Sequence, residues 1–139
     1  MKIEDEISSQ KYQLTRRGFL DAVYNRIHIV HFYPTNMQQA RVIPLSVLDK
    51  YGRVMVALGI STYVPKERQP LSLVHEMIHV DRSSWEKLEN QPRHKIKKIM
   101  SEEEDLTEKA AKVFYDEHQR LAAVALNHVW LRREELPIE

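Results

Sequence analysis

Cysteine is absent from this 139-residue chain. That excludes disulfides and any thiolate-ligated metal site, so a bound metal must be held by histidine, carboxylate or water. Only three glycines occur, which suits a helix-rich chain with short loops. No apolar run approaches the ~20 residues that a bilayer-spanning helix needs. The opening Met-Lys-Ile-Glu-Asp-Glu is too acidic and polar for a secretory signal. An excess of one charge is missing too: 21 basic residues against 20 acidic ones give a net +1, which offers no general attraction to nucleic acid or membrane. These absences predict a soluble, cytoplasmic chain without a membrane partner. Its length suits one domain, residues 1–139, around one core.

Apolar residues at Tyr12, Leu14, Phe19, Leu20, Val23 and Tyr24 predict a first helix over residues 9–24, after a loose arm at 1–8. Residues 26–33 are β-rich and end at Pro34, which reads as a strand. A shorter strand is expected over 40–45, interrupted by Pro44, then a turn or short helical piece at 46–51. The apolar, β-branched run at 53–60 reads as a further strand. Pro70 suits the first turn of a helix, because its missing N–H has no intrahelical partner there. Leu71, Val74 and Ile78 then recur at spacings of three and four, predicting a buried helix from about 70 to 84. Residues 85–100 are mixed and divided by Pro92. Ser101 followed by Glu102, Glu103 and Glu104 reads as a capped helix start, with acids complementing the helix dipole. From there Leu106, Ala110, Val113, Phe114, Leu121, Val124 and Leu131 predict one face of a single long helix to about 133. Strands grouped early and helices late predict an α+β domain.

Within the helix at 70–84 stands His75-Glu76-Met77-Ile78-His79. Positions four apart share a helix face, so His75 and His79 can direct two imidazole nitrogens at one metal ion, on a different stripe from Leu71, Val74 and Ile78. In zinc hydrolases the glutamate after the first ligand, here Glu76, takes a proton from a metal-bound water. Catalytic zinc usually has a third protein ligand. Two candidates stand out, Glu104 first and His94 second. Glu104 and Glu108 share one helix face, so one can bind the metal while the other accepts a hydrogen bond from a ligand histidine. His94 lies fifteen residues after His79 in the basic run Arg93-His94-Lys95-Ile96-Lys97-Lys98. Asp81 reads as a surface or capping group. His28 and His31 are poor joint ligands on a strand, and His118 and His128 read as helix-surface residues.

With Glu104 as third ligand, the chain resembles the gluzincin metallopeptidases, in which a glutamate on a helix downstream of His-Glu-x-x-His completes the site. The acidic, then alanine-rich run from Glu102 to Ala111 is similar to that of small zincin-fold proteins of phages and bacteria. This resemblance implies a minimal zincin-like fold: an N-terminal helix, a small three-stranded sheet, the motif helix and a long C-terminal helix. It also implies Zn2+ held by His75, His79 and Glu104, with Glu76 as general base in hydrolysis of a peptide or protein substrate. An extended substrate would pair with the strand before the motif helix, residues 54–60, and Tyr115, Tyr63 or His118 would face the developing oxyanion. With His94 as third ligand, the chain instead resembles the SprT-like family, which implies a protease acting on DNA-associated proteins. Lys95 stands where that family has glycine, and its following aromatic is missing. Nucleic acid is the less favoured partner, since a short basic run is more often a solvated face. A non-catalytic zincin-fold structural or regulatory protein is the third reading.

Overall fold

The computed structural model of the protein describes residues 12–134. The arm expected at 1–8, the start of the first predicted helix and Pro137 lie outside the described residues.

The first helix is shorter than its apolar periodicity predicts. Helix α1 spans Arg16–Asp21, and Thr15 caps it by accepting a hydrogen bond from the Gly18 N–H at 2.9 Å. One π-helical turn, Ala22–Arg26, leads into strand β1, Ile27–Tyr33. Leu14 and Tyr12 still pack on the core from non-helical backbone, so their apolar character reports burial rather than helix.

Strand β2 covers Ala40–Leu48 and strand β3 covers Val54–Ser61. β2 therefore runs through Pro44 and consumes part of the piece expected as a turn at 46–51. Proline is tolerated there because β2 lies at the sheet edge, and the register shifts between Pro44 and Leu48. The turn itself is tight: the Asp49 carboxylate accepts the N–H groups of Tyr51 and Arg53, and Gly52 supplies a φ of 80°.

The sheet order is β1-β3-β2, with β3 parallel to β1 and antiparallel to β2. The last strand in sequence is thus the central one. The outer edge of β1 is covered by the chain's own end: the Arg132 guanidinium donates to the Ile27 carbonyl and the Glu134 N–H to the Val30 carbonyl, each at 2.9 Å. Trp130 meets Phe32 edge-on at 4.6 Å. Among the described residues, β2 keeps the open edge.

Helix α2 spans Gln69–Arg82 and sits at the centre of the domain. Leu73, Val74, Met77, Ile78 and Val80 are fully shielded from solvent. Leu71 departs from expectation. At i, i+4 and i+8 it shares a stripe with His75 and His79, and it lines the same cleft.

The expected single helix over 101–133 is two helices with a different start. Helix α3 spans Arg93–Glu117 and helix α4 spans Gln119–Leu131. Pro92 precedes the first turn of α3, so the basic run 93–98 and the acidic run form one helix and Ser101 lies in its interior. His118, at φ −133° and ψ 38°, breaks the ladder. The break changes the phase of the buried face: Ala122, Ala125 and Val129 turn inward, whereas Val113, Val124 and Leu131 are exposed. The expected α+β architecture with a three-stranded sheet holds.

An ion-pair network ties α1 to the β2–β3 turn. Arg53 donates to both Asp21 oxygens, at 2.6 and 2.9 Å, and to Asp49. Those bonds lower the Asp21 pKa from 3.8 to about 2. A carboxyl depressed in the fold contributes stability above its unfolded pKa and loses it as pH falls through the folded value. Arg53→Gln is therefore expected to lose under ~1 kcal/mol at neutral pH, because the pair is about one-third exposed. Its unfolding free energy should also fall less steeply than the wild type's between pH ~4 and ~2. Urea denaturation across that range measures both effects.

Candidate metal centre

His75 and His79 stand one turn apart on α2 and Glu104 stands midway along α3. The docking of these helices brings the three together. Glu104 Oε2 lies 3.1 Å from His75 Nε2, and Glu104 Oε1 lies 2.7 Å from His79 Nε2. One ligand atom from each residue lies within 4.8 Å of the others. Tetrahedral zinc with bonds of about 2.1 Å needs donor separations of about 3.4 Å. The two nitrogens and the carboxylate oxygens, 2.7 to at most 4.8 Å apart, bracket that spacing, and their chemistry is that of a group able to hold a metal ion such as zinc.

Glu104 is not a capping residue. It lies eleven positions into α3, beyond reach of the helix dipole's positive end. Its carboxyl is held well below the usual carboxylate range by hydrogen bonds from His75 and His79. Burial opposes a charge on His75, but the Glu104 carboxylate outweighs it and raises the imidazole's pKa. Glu104 and His75 thus favour one another's charged forms.

The ring of His79 is oriented from behind. Ser84 Oγ donates to Glu103 Oε2 at 3.0 Å, so toward His79 Nδ1, also at 3.0 Å, it is the acceptor. The bond to Ser84 fixes a proton on Nδ1 and aims Nε2, which donates to Glu104 here, at the position a metal would take; with a metal in place of that Nε2 proton the ring has the tautomer a ligand requires. Glu103 is in turn gripped by Arg82 at 2.7 and 3.1 Å. Burial disfavours its charge, yet the Arg82 and Ser84 hydrogen bonds prevail and its pKa is lowered. Ser84 reaches this position because Ser83 ends α2 in the left-handed region, at φ 49°, and turns the chain back into a 3₁₀ turn, Ser84–Leu88. The expected support from Glu108 is replaced by this relay: Glu108 is exposed and makes no hydrogen bond to either histidine among the described residues.

Glu76 is only 7% exposed, yet it lines the cleft beside the two histidines. Burial pushes its carboxyl pKa up, against the opposing pull of His79, His75 and the Val42 backbone N–H. A carboxylate raised toward neutrality suits proton transfer.

The cleft has a volume of about 780 Å³. Its walls are α2, α3, the 3₁₀ turn and residues 38–42, which lead into β2, rather than β3. Residues 54–60 are paired on both sides, by β1 and by β2, so no extended chain can add there. The three candidate oxyanion donors are not brought in: Tyr63, Tyr115 and His118 lie outside the lining, His118 stacking on Phe114 at 4.5 Å. His94 stands exposed in the first turn of α3, ten residues and about 15 Å of helix from Glu104. The rest of the basic run is likewise exposed, apart from half-buried Ile96. Asp81 accepts the Tyr12 hydroxyl at 2.6 Å, a structural contact.

Sequence reasoning missed Ser84, Glu103 and Arg82 as supports, and Arg41, Arg68 and Lys112 as cleft residues. None has a local signature, since each acquires its place only when α2 docks on α3. No protein-family model matches the chain, and neither does any curated protein or solved structure. No candidate membrane span occurs among the described residues.

Proposed function

We propose that the protein is a zinc-dependent metallopeptidase with a gluzincin-like ligand set. The observation that carries this reading is the convergence of His75, His79 and Glu104 in a cleft that also receives the buried carboxylate of Glu76. Zinc bound there would supply Lewis acidity, lowering the pKa of a coordinated water toward 7 and polarising a substrate carbonyl. Glu76 would accept the proton of the attacking water and deliver it to the leaving amine. His79 would be held in its ligating tautomer by Ser84 and Glu103. The open edge of β2, beside the cleft, offers backbone groups for an extended peptide. A purely structural site needs no base, so a buried glutamate at this position favours catalysis over a static role.

Elemental analysis of wild type, Glu104→Ala and His94→Ala purified side by side tests the ligand set. About one zinc per chain is expected in wild type and in His94→Ala, with loss in Glu104→Ala. Zinc retained by Glu104→Ala and lost by His94→Ala would overturn the arrangement in favour of the SprT-like one.

A further inference from the structure

The cleft is graded in charge along its length. On α3, Met100, Glu104, Glu108 and Lys112 follow one another at four-residue intervals, and all four line the cleft. Arg82, at the C-terminal end of α2, meets Glu103, and the 3₁₀ turn that follows reaches the same carboxylate through Ser84 and Lys87. The N-terminal end of α2 and the later turns of α3 both line the cleft away from that turn's contact with Glu103. Arg68 stands seven residues before His75, at the start of α2, and Lys112 two turns beyond Glu104, about 12 Å of helix away. At the opposite end the lining is Trp85, Leu88 and Met100, and Met100 is half exposed.

The charges at the two ends are not balanced. Glu103 is neutralised by Arg82, Glu104 is engaged by the histidines, and Glu76 is buried. That leaves the cations Arg41, Arg68 and Lys112 against one free carboxylate, Glu108, in the lining. None of the three cations makes an ion pair or a side-chain hydrogen bond among the described residues. A cleft whose unpaired charges are mostly of one sign favours ligands of the other.

We infer that the cleft selects peptide segments with acidic side chains on the Arg68–Lys112 side of the ligand cluster and a bulky apolar side chain on the Trp85–Met100 side. The inference rests on the peptidase reading for its chemistry but not for its binding preference. A peptide fits better than a nucleic acid. Glu108 stands between the ligand cluster and Lys112, where it repels a continuous phosphate backbone, while a peptide can place single carboxylates around it. The apolar end has no phosphate partner, and the open edge of β2 matches an extended polypeptide.

The test uses two labelled peptide pools, identical except that glutamate or lysine flanks a degenerate apolar core. Binding is read by fluorescence anisotropy on the Glu76→Gln protein, which cannot turn the peptides over under the proposed mechanism. Cleavage is read by mass spectrometry with zinc-loaded wild type. The glutamate pool should bind about ten-fold tighter, lose that advantage as salt rises, and be cleaved preferentially. Arg68→Glu combined with Lys112→Glu should reverse the preference. Equal binding of the two pools overturns the inference, as does displacement of bound peptide by a single-stranded oligonucleotide. A preference unchanged by the charge reversal overturns the assignment to Arg68 and Lys112. A binding preference without cleavage of either pool supports the selectivity and sinks the peptidase reading, whereas cleavage indifferent to charge does the opposite.

Discussion

Glu76→Gln is expected to lower kcat/KM for peptide hydrolysis by ~10²–10⁴-fold while leaving one zinc per chain. The substitution keeps the volume of the side chain and its ability to accept the Val42 backbone N–H, but it removes the basic oxygen that would hold a proton in transit. Glu76 is almost wholly buried, and burial raises its pKa. A neutral amide therefore relieves the fold of a desolvated charge, and unfolding by urea near pH 7 should show the variant at least as stable as wild type. Hydrolysis near the wild-type rate would sink the general-base role. Lost activity accompanied by lost zinc would assign Glu76 a part in holding the site instead.

Phe114→Ala should cost ~3–5 kcal/mol, a large share of the ~5–15 kcal/mol that holds a domain of this size together. Phe114 is 2% exposed, and its ring lies 5.0 Å from Phe19 and 4.5 Å from His118. It joins α3 both to α1 and to the break before α4. Truncation leaves a cavity that the neighbouring helices can only partly close. Glu104 lies ten residues earlier on the same helix, so a loosened α3 also weakens its approach to His75 and His79. Chemical denaturation and zinc competition against a chelator should both report the defect, and Phe114→Leu should restore most of each. A cost below ~1 kcal/mol would mean that the Phe19–Phe114 contact does not anchor α3.

Much of the site was legible because it is local. His75, Glu76 and His79 lie within one helical turn and a little more, so helix geometry alone joins them. Glu104 was legible as a candidate, though for a mixed reason. The acids around it looked like a helix start, and a helix start would have explained them without a metal. The structure removes that explanation by beginning α3 at Arg93. Pro92 was the stronger punctuation mark, because a proline blocks the helix on its N-terminal side whatever follows, whereas Ser101 with its acids is equally at home in a helix interior. The break at His118 had no comparable marker. The apolar residues on either side of it could be threaded onto one continuous face, and only the burial of Ala122, Ala125 and Val129 shows the change of phase.

The segments that form strands were legible in the sequence, and their order in the sheet was not read from it at all. Periodicity and β-branching report which residues are extended, but pairing is a relation between segments that no single segment contains. β3 enters the centre of the sheet between two earlier strands, and this moves the open edge to β2 and the expected peptide track away from residues 54–60. The supports of His79 belong to the same class. Ser84 and Glu103 are nineteen residues apart and have meaning only once α2 turns at Ser83 and packs on α3.

The sequence by itself determined the chemistry available to this protein: a chain without thiols, two imidazoles on one helix face, a carboxylate beside them and further acids on a later helix. Covalent identity and helical spacing suffice for that. Tertiary structure alone decided which acid completes the cluster, which hydroxyl orients its histidine, which strand edge stays open and which cations face the cleft. Those choices are set by burying the apolar faces of α2, α3 and the sheet against one another, a long-range requirement that fixes distances between residues far apart in the chain.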